Sequence, residues 1–423
     1  MQANKGWVAF GYAAIGCAAL GAALAVAAPI GPGAPEDLVE LVTPKDNPTT
    51  DAKVALGKKL YEDTRLSSDN TVACKTCHDP DKGFTDRLPT SKGVGGQTGK
   101  RNAPTVLSAL FLDTQFLDGR APNLEAQAKL PILNPIEMGM KSPEEVVAKL
   151  KGIPEYVDAF QKVFGREINY DDLGRAIAAF ERTVLSSDAP IDRFLAGDDK
   201  ALTPAQRRGW SLFNGKARCN TCHGFNASYP LFSDNKFHNI GIAARNKNFS
   251  DMALRAEKIV RAGDLDQIDE LALNSEFSDL GRFLVTQNKA QIGAFKTNHL
   301  RDIALTSPYM HNGELKTLWD VVDHYNKGGI PNPFLDGGIQ RLGLSEDQIS
   351  DLVELLGGAF TSSRFAADGK AELERQRKLA ASNRPERDTD AAMGKTMGRG
   401  DAPLDPDLSQ KDPAFIGGRA PKY

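Results

Sequence analysis

The sequence predicts an all-α protein of two domains with long loops, and three observations support this fold class. The chain has 423 residues, more than the roughly 100 to 200 residues of one typical domain. At Ser142, Thr203 and Ser345 a hydroxyl residue is followed three positions later by Glu or Gln, which is the pattern of a helix start. No segment shows the alternating apolar pattern of a strand, so we expect no sheet.

The overall charge is nearly balanced. The chain holds 52 Lys and Arg against 55 Asp and Glu, which gives a formal net charge of -3, and it has no long basic run. Because a nucleic-acid partner requires a basic surface, the sequence predicts no nucleic-acid partner.

The first residues resemble an export signal. Lys5 precedes an apolar run that starts at Trp7, and the tripeptide ending at Ala27 fits the small-residue pattern of a cleavage site. We therefore expect residues 1–27 to be removed and the mature protein to lie in the periplasm. The alternative is an uncleaved inner-membrane anchor over residues 7–29, since about twenty apolar residues nearly span a bilayer.

Composition divides the rest of the chain. We predict an N-terminal domain over residues 36–195 and a C-terminal domain over residues 200–363, joined through a loop-like stretch over 186–203. The chain then becomes polar and charged and lacks the large apolar side chains that a core needs. We expect 366–423 to be a mostly flexible tail, with one short helix around residues 371–381.

Two pentapeptides point to the chemistry of the protein. CKTCH at 74–78 and CNTCH at 219–223 are both C-x-x-C-H sequences, the pattern of covalent c-type haem attachment. Two thiols one short turn apart reach the two vinyl groups of one porphyrin, and the adjacent histidine binds the iron. The predicted attachment and ligand residues are Cys74, Cys77, His78, Cys219, Cys222 and His223.

The alternative for these cysteines is a pair of zinc sites or disulfides. Zinc sites combine two Cys-x-x-Cys units that lie roughly fifteen to twenty residues apart, whereas these units begin at Cys74 and Cys219. Each unit therefore serves its own site. Together with the export signal, this separation favours two covalently bound haem c groups, one in each domain.

The second axial position of each iron determines its function. An iron with a free position binds and activates peroxide, whereas an iron with two protein ligands mainly carries electrons. After the two proximal histidines, the remaining histidines are His238, His299, His311 and His324.

The helix LKTLWDVVDHYN offers a tyrosine instead. Leu318, Val322 and Tyr325 follow helical spacing on one apolar face, so we expect Tyr325 to point inward. His324 is rotated by about 100° onto the flank. We expect His324 and His299 to be hydrogen-bonded or surface histidines, whereas His238 and His311 lie in loops and are suited to a haem pocket.

Residues over nearly all of 36–363 resemble the bacterial di-haem cytochrome c peroxidases and their MauG-like relatives. The stretches that carry the resemblance are LGKKLYEDTRLSSDNTVACKTCH, GKRNAPTVLSALF, FLDGRAPNLEAQA, NPIEMG and LRDIALTSPYMHNGELKTLWDVV. The resemblance implies two cytochrome c-like haem domains. The N-terminal haem reacts with peroxide, and the C-terminal haem accepts electrons.

The resemblance also assigns further residues. Glu137 in NPIEMG matches the catalytic acid-base, and Gln127 matches a polar neighbour in the same pocket. Proton transfer by a carboxyl group suits O–O cleavage, and burial suits the neutral form of that group. Asn102, with the backbone carbonyls of Thr306 and Pro308, matches an interdomain calcium site, whose oxygen ligands suit that ion.

Three positions depart from the standard di-haem peroxidases. Val94 stands where a histidine caps the N-terminal haem of the resting enzyme, so we expect an iron that is open without prior reduction. Tyr325 stands where methionine binds the C-terminal haem, and a phenolate ligand stabilises the ferric state. Leu117 stands where a tryptophan lies between the haems, which argues against fast electron sharing through an aromatic bridge.

The leading hypothesis is a periplasmic peroxidase that reduces hydrogen peroxide with electrons from a small cytochrome c or cupredoxin. The first alternative is a MauG-like enzyme that oxidises side chains of a partner protein. Tyr325 and Val94 favour this alternative, and Leu117 does not. A non-enzymatic electron carrier with two six-coordinate irons is the third hypothesis. A homodimer is compatible with all three.

Overall fold

The computed structural model describes residues 36–225, 229–245 and 247–382 and shows a mostly α-helical protein with little sheet. The predicted signal peptide or anchor and the part of the predicted tail beyond residue 382 lie outside the described residues. Within the described ranges, no helix combines the length and the apolar character that crossing a bilayer requires.

Nine helices lie in the N-terminal half of the described chain, and several are single turns. They are α1 (Glu36–Val42), α2 (Asp51–Glu62), α3 (Cys74–Cys77), α4 (Leu124–Gln127), α5 (Leu130–Leu133), α6 (Pro143–Lys151), α7 (Pro154–Phe164), α8 (Tyr170–Glu181) and α9 (Pro190–Leu195).

Seven more helices and two short strands follow in the C-terminal half. They are α10 (Pro204–Asn214), β1 (Phe237–His238), α11 (Phe249–Glu257), α12 (Leu265–Asn274), α13 (Phe283–Thr286), β2 (Phe295–Lys296), α14 (Leu318–Asn326), α15 (Glu346–Glu354) and α16 (Ala366–Ser382).

A close helix pair organises the core of each half. In the N-terminal half α2 packs against α8, and a Cβ atom at Gly57 would lie only 1.9 Å from the Ala176 carbonyl oxygen. In the C-terminal half α10 packs against α15, and a Cβ atom at Gly209 would lie 2.3 Å from the Asp351 carbonyl oxygen. Glycine is therefore required at both contacts, because any side chain would push the helices apart.

The first core surrounds α2 and α8 with fully buried side chains such as Tyr61 and Phe160. The second core lies among α10, α14, α15 and α16 and contains the stacked rings of Phe232 and Phe360, whose centroids are 4.3 Å apart. A third cluster lies beneath α11, α12 and α13. These cores position the cysteine turns at their edges.

The short helix expected around residues 371–381 is present as α16, and it is longer than expected because it begins at Ala366 and ends at Ser382. Leu373 enters the second core. The buried Glu372 accepts a hydrogen bond of 2.6 Å from Ser307 Oγ. Gln376 donates to the Ala304 carbonyl at 3.0 Å and accepts from the Leu318 amide at 2.9 Å. The helix α16 is ordered with few apolar residues because Glu372 and Gln376 are hydrogen-bonded to the 304–318 segment.

Three smaller expectations need correction. The pair β1 and β2 forms a two-stranded antiparallel sheet where we expected no strand. The linker over 186–203 contains the helix α9, and its Asp192 is paired with the buried Arg301. Glu145 does not return to the Ser142 amide as a capping box requires, because its carboxylate accepts from the Lys141 amide at 2.8 Å.

Candidate active site and haem sites

The first C-x-x-C-H sequence forms one helical turn. The Ala73 amide donates to Thr76 Oγ1 at 3.0 Å, which begins α3, and the His78 amide donates to the Cys74 carbonyl at 2.9 Å, which closes the turn. This turn places both cysteines and His78 on the wall of one cavity. Tyr61 supports the turn from the core by donating to the His78 carbonyl at 2.7 Å.

The second C-x-x-C-H sequence forms a 3₁₀ turn over Cys219–Thr221. His223 Nδ1 lies 2.8 Å from the Phe232 carbonyl oxygen. Since a carbonyl can only accept, Nδ1 carries the proton and Nε2 keeps the lone pair that binds a metal. Burial lowers the pKa of His223, and the neutral ring is the form that coordinates iron.

Each turn borders its own cavity. The cavity at His78 has a volume of about 140 Å³ and the cavity at His223 a volume of about 290 Å³. Both walls are mostly apolar, which suits a porphyrin. The four cysteines of the described residues form no disulfide. The buried His78 Nδ1 has no hydrogen-bond partner, and burial lowers the pKa of this ring. The residues present therefore fit two haem groups.

Tyr325 and His324 differ as the helical spacing predicts. Tyr325 lines the larger cavity together with His223, whereas His324 does not. His324 Nε2 instead donates to the Ile240 carbonyl at 2.9 Å, so it is a satisfied buried histidine. Burial and the nearby sulfur of Cys222 raise the pKa of the Tyr325 phenol well above its usual range. A bound cation would supply the charge that a phenolate needs at this position.

Glu137 lies on the wall of the smaller cavity with Gln127 and His78. Its Oε2 atom is buried and has no hydrogen-bond partner. Burial and the charge of Asp269 raise the pKa of Glu137 well above its usual range, and Arg120 opposes this shift. A carboxyl group in this environment can hold a proton at neutral pH and release it to a partner in the cavity.

The loop that carries Glu137 has little freedom. The amides of Ile136 and Glu137 donate to Asn134 Oδ1 at 3.0 and 3.3 Å. The Glu137 carbonyl accepts from the Val94 amide at 3.0 Å. A Cβ atom at Gly93 would lie 1.8 Å from the Ile136 carbonyl oxygen, so the 93–97 loop approaches the Glu137 loop through its backbone. Val94 itself is buried beneath this contact.

The smaller cavity contains a second carboxyl group that was not predicted from the sequence. Glu181, at the end of α8, lines this cavity, and its Oε2 atom is buried without a partner. Burial raises the pKa of Glu181 to about 8. The only signal in the sequence was a glutamate on the apolar face of a helix, which is too weak to separate from an ordinary surface residue.

The expectation for His299 is wrong. It is neither exposed nor satisfied, because it is buried on the wall of the larger cavity and neither ring nitrogen has a hydrogen-bond partner. Burial lowers its pKa to about 4. His311 lines the same cavity, as expected for a loop histidine, and its Nε2 lies 2.8 Å from Asp279.

His238 also lines the larger cavity, as expected. Its ring lies between two carboxylates, with Nδ1 2.7 Å from Asp336 and Nε2 3.0 Å from Asp234. Hydrogen bonds to the Cys222 sulfur and to these carboxylates raise the pKa of His238 to about 10. Among the described residues, Cys222, Asp234 and His238 are the one group of three such side chains close enough to share a metal ion. Because Cys222 is a predicted haem attachment residue, this group belongs to the haem site.

The residues of the predicted calcium site lie on one wall. Asn102, Thr306 and Pro308 all line the larger cavity. The Asn102 side-chain amide donates to the Leu88 carbonyl at 2.7 Å, which leaves its oxygen for another partner. The structure therefore brings these residues to one region of the molecule, and their role as calcium ligands stays a prediction.

One wall separates the two cavities. Residues 102–105 and Leu117 line both of them. At the position where a bridging tryptophan was considered, the molecule therefore presents an aliphatic side chain, and Leu117 is 7% exposed. We call this set of residues the shared wall.

A helical fold with two cysteine-histidine turns, each beside its own cavity, defines a haem protein with two sites. The family model described as di-haem cytochrome c peroxidase matches residues 51–200. The methylamine utilization protein MauG of Methylorubrum extorquens is 39% identical over 315 residues, which cover 74% of this chain and 79% of that protein.

A further relative and a solved structure also match this chain. The cytochrome c551 peroxidase of Pseudomonas aeruginosa is 38% identical over 291 residues, which cover 68% of this chain and 75% of that protein. The crystal structure of a MauG-like protein associated with microbial copper homeostasis superposes with a TM-score of 0.64 at 29% identity and covers 76% of this chain and 92% of that one. The chain belongs to the family of di-haem cytochrome c peroxidases and MauG proteins. This finding confirms the resemblance and the prediction of a peroxidase-type oxidoreductase with two haem groups.

Proposed function

We propose that the protein is a periplasmic di-haem peroxidase that reduces hydrogen peroxide to water. The observation that carries this proposal is the carboxyl group of Glu137, which has a buried, unpartnered oxygen on the same cavity wall as His78. Each haem c would be attached through the two cysteines and the histidine of its own turn, in two cytochrome c-like domains. The larger cavity would hold the haem that receives electrons.

The reaction converts one hydrogen peroxide, two protons and two electrons into two water molecules. When bound, the haem of the smaller cavity supplies the iron that holds peroxide and transfers electrons to it. Glu137 would accept a proton from one oxygen of peroxide and return it to the other oxygen, which would make that second oxygen a good leaving group. Gln127 lies on the same wall and is suited to orient peroxide by hydrogen bonding.

The larger cavity has the residues for electron entry. His223 is fixed by the Phe232 carbonyl, and Tyr325 lies on the wall of the same cavity, so these two side chains would hold the haem iron. The electron donor would be a small cytochrome c or a cupredoxin. Asn102 with the carbonyls of Thr306 and Pro308 would bind calcium beside this site, since all three ligands are oxygens.

A second candidate function is the oxidation of side chains in a partner protein, the chemistry of a MauG-like enzyme. Tyr325 in the larger cavity favours it, because a phenolate ligand stabilises high oxidation states. The aliphatic Leu117 in the shared wall disfavours it, because a long-lived oxidised state is shared more easily through an aromatic ring.

The peroxidase proposal is tested with the variant Glu137→Gln. Glutamine keeps the shape of the side chain but cannot shuttle a proton. We expect haem content to be unchanged and peroxide turnover to fall by about a hundredfold or more. Stopped-flow and steady-state assays with reduced cytochrome c as electron donor measure the effect. The control is Glu144→Gln, an exposed glutamate on α6 that should retain full turnover. Undiminished turnover in Glu137→Gln would remove this residue from the mechanism.

A further inference from the structure

The helices α11 and α12 lie in the segment over residues 249–274, which belongs in sequence to the C-terminal half. This segment nevertheless contacts the N-terminal cavity. Leu273 lies on the wall of the smaller cavity, and its carbonyl accepts from the Lys100 amide at 3.1 Å. A segment far along the chain therefore closes one side of the pocket that holds Glu137.

Asp269 makes a further polar contact from this segment, through its side chain. It is 5% exposed, and its two oxygens have different partners. Oδ1 accepts from Arg120 Nε at 2.8 Å, and Oδ2 accepts from Asn134 Nδ2 at 2.5 Å. Both partners lie in the N-terminal half, 149 and 135 positions away along the chain. A buried carboxylate needs such partners, since an unpaired charge would be costly.

Through Asn134, this contact reaches the catalytic loop. The Asn134 side chain donates to Asp269 with its amide nitrogen and accepts the Ile136 and Glu137 amides with its oxygen. Because Asn134 Nδ2 donates to the Asp269 carboxylate, Asn134 Oδ1 is turned toward the Ile136 and Glu137 amides. If the carboxylate of Asp269 were lost, this orientation would no longer be fixed, and the Glu137 backbone would lose its support.

Through Arg120, the contact reaches the wall of the cavity. Arg120 lines the smaller cavity and lies between the carboxylates of Asp269 and Asp118. Its guanidinium group also stacks on the Phe116 ring, at 3.5 Å from the ring centroid. Asp118 is in turn paired with the buried Arg101 at 2.5 Å. The Arg120 charge is therefore held at one place beside Glu137 by groups from both halves.

We infer that Asp269 is a positioning residue of the peroxide pocket. It fixes the Glu137 loop through Asn134 and it fixes the guanidinium group of Arg120, so the segment over 249–274 completes the pocket from the other half of the chain. This inference rests on the proposed function, because it gives Glu137 its catalytic role. It goes beyond that function by assigning a role to a segment outside both haem-binding turns.

The charges around Glu137 determine the expected effect on pH dependence. The Asp269 carboxylate opposes ionisation of Glu137, and Arg120 favours it. Glu181 shares the cavity, while Cys74 and Cys77 would be neutral thioethers once haem is attached. Removing the Asp269 charge removes its repulsion of the Glu137 carboxylate, while Arg120 keeps its pair with Asp118. The ionisation midpoint of Glu137 should therefore move to lower pH, and the reaction that needs its carboxylate should begin at lower pH.

The test is the variant Asp269→Asn in the haem-loaded, full-length protein, with Glu270→Gln on the same helix as the exposed control. We expect an unchanged spectrum of the C-terminal haem and at least a tenfold slower reaction with peroxide. We also expect the ionisation midpoint of Glu137 to move to lower pH in the pH profile of the rate. The same shift should be seen when the spectrum of the ferric N-terminal haem is titrated with pH, a measurement that needs no peroxide. The control should match the wild type. Asp269→Glu, which restores the charge, should recover part of the rate.

Two outcomes are distinguished. If the wild type reduces peroxide and Asp269→Asn shows the same rate and the same midpoints, the inference is overturned while the proposed function stands. If the wild type does not react with peroxide, the proposed function fails first. Should Asp269→Asn fail to fold, Asn134→Ala keeps the Arg120 pair and tests the loop alone, and an unchanged peroxide rate in that variant would also overturn the inference.

Discussion

At the scale of single residues, neighbours in sequence have separate roles. Tyr325 and His324 are adjacent, yet Tyr325 lines the larger cavity and His324 is bonded to the Ile240 carbonyl. The helical rotation of about 100° per residue accounts for this difference. The apolar stripe of α14 predicts that Tyr325 points into the cavity, but it does not predict that His324 is buried as well.

Tyr325→Phe should change the absorption and electron spin resonance spectra of one haem only. The phenol oxygen is the only atom lost, so the apolar packing is kept and the second axial position of that iron changes. The control is His324→Gln, whose amide can still donate to the Ile240 carbonyl. An unaltered spectrum in Tyr325→Phe would show that tyrosine is not a ligand.

Other residues of the site were not predictable. His299 and Glu181 carry no motif, and their buried unpartnered atoms depend on where distant segments meet. The link between Asp269 and Arg120 joins positions 149 apart. The C-x-x-C-H turns were predictable because their chemistry depends on local spacing alone. Contacts between halves are determined by the packing of whole elements, which a single sequence does not show.

At the scale of elements, α16 is longer than the short helix predicted around residues 371–381, and it is packed into the core. Most of its side chains are polar, and the average over 366–423 predicts disorder. Its buried positions nevertheless recur on one face, namely Gly369, Glu372, Leu373, Gln376 and Ala380. The face is stabilised by one leucine in the core and by hydrogen bonds to the 304–318 segment. Order here depends on position rather than on average composition.

Leu373→Ala should lower the free energy of unfolding by about 2 to 5 kcal/mol, the usual cost of truncating a buried leucine. Leu373 packs against Gly357, where a Cβ atom would lie 2.7 Å from the leucine Cδ1 atom. Denaturant titration followed by circular dichroism measures the change. Lys370→Ala, on the exposed face of α16, is the control and should leave stability nearly unchanged. Equal stability of both variants would show that α16 does not support the core.

At the scale of the whole molecule, the number of open irons separates the candidate functions. Among the described residues the smaller cavity offers Glu137 and Gln127 on its wall, and the family resemblance implies that Val94 stands where the standard peroxidases carry a capping histidine. We therefore expect one high-spin and one low-spin ferric signal in the electron spin resonance spectrum of the isolated protein. Peroxide should diminish the high-spin signal. Two low-spin signals in both oxidised and reduced preparations, with no response to peroxide, would support the electron-carrier hypothesis instead.

The shared wall couples the surroundings of the two predicted haem sites. Since residues 102–105 and Leu117 face both cavities, no substitution there can be tuned for one centre without altering the surroundings of the other. A chimera that joins the N-terminal half of one relative to the C-terminal half of another would therefore combine a shared wall from one protein with the larger cavity of the other. Such proteins should inherit mismatched reduction potentials even when both halves fold.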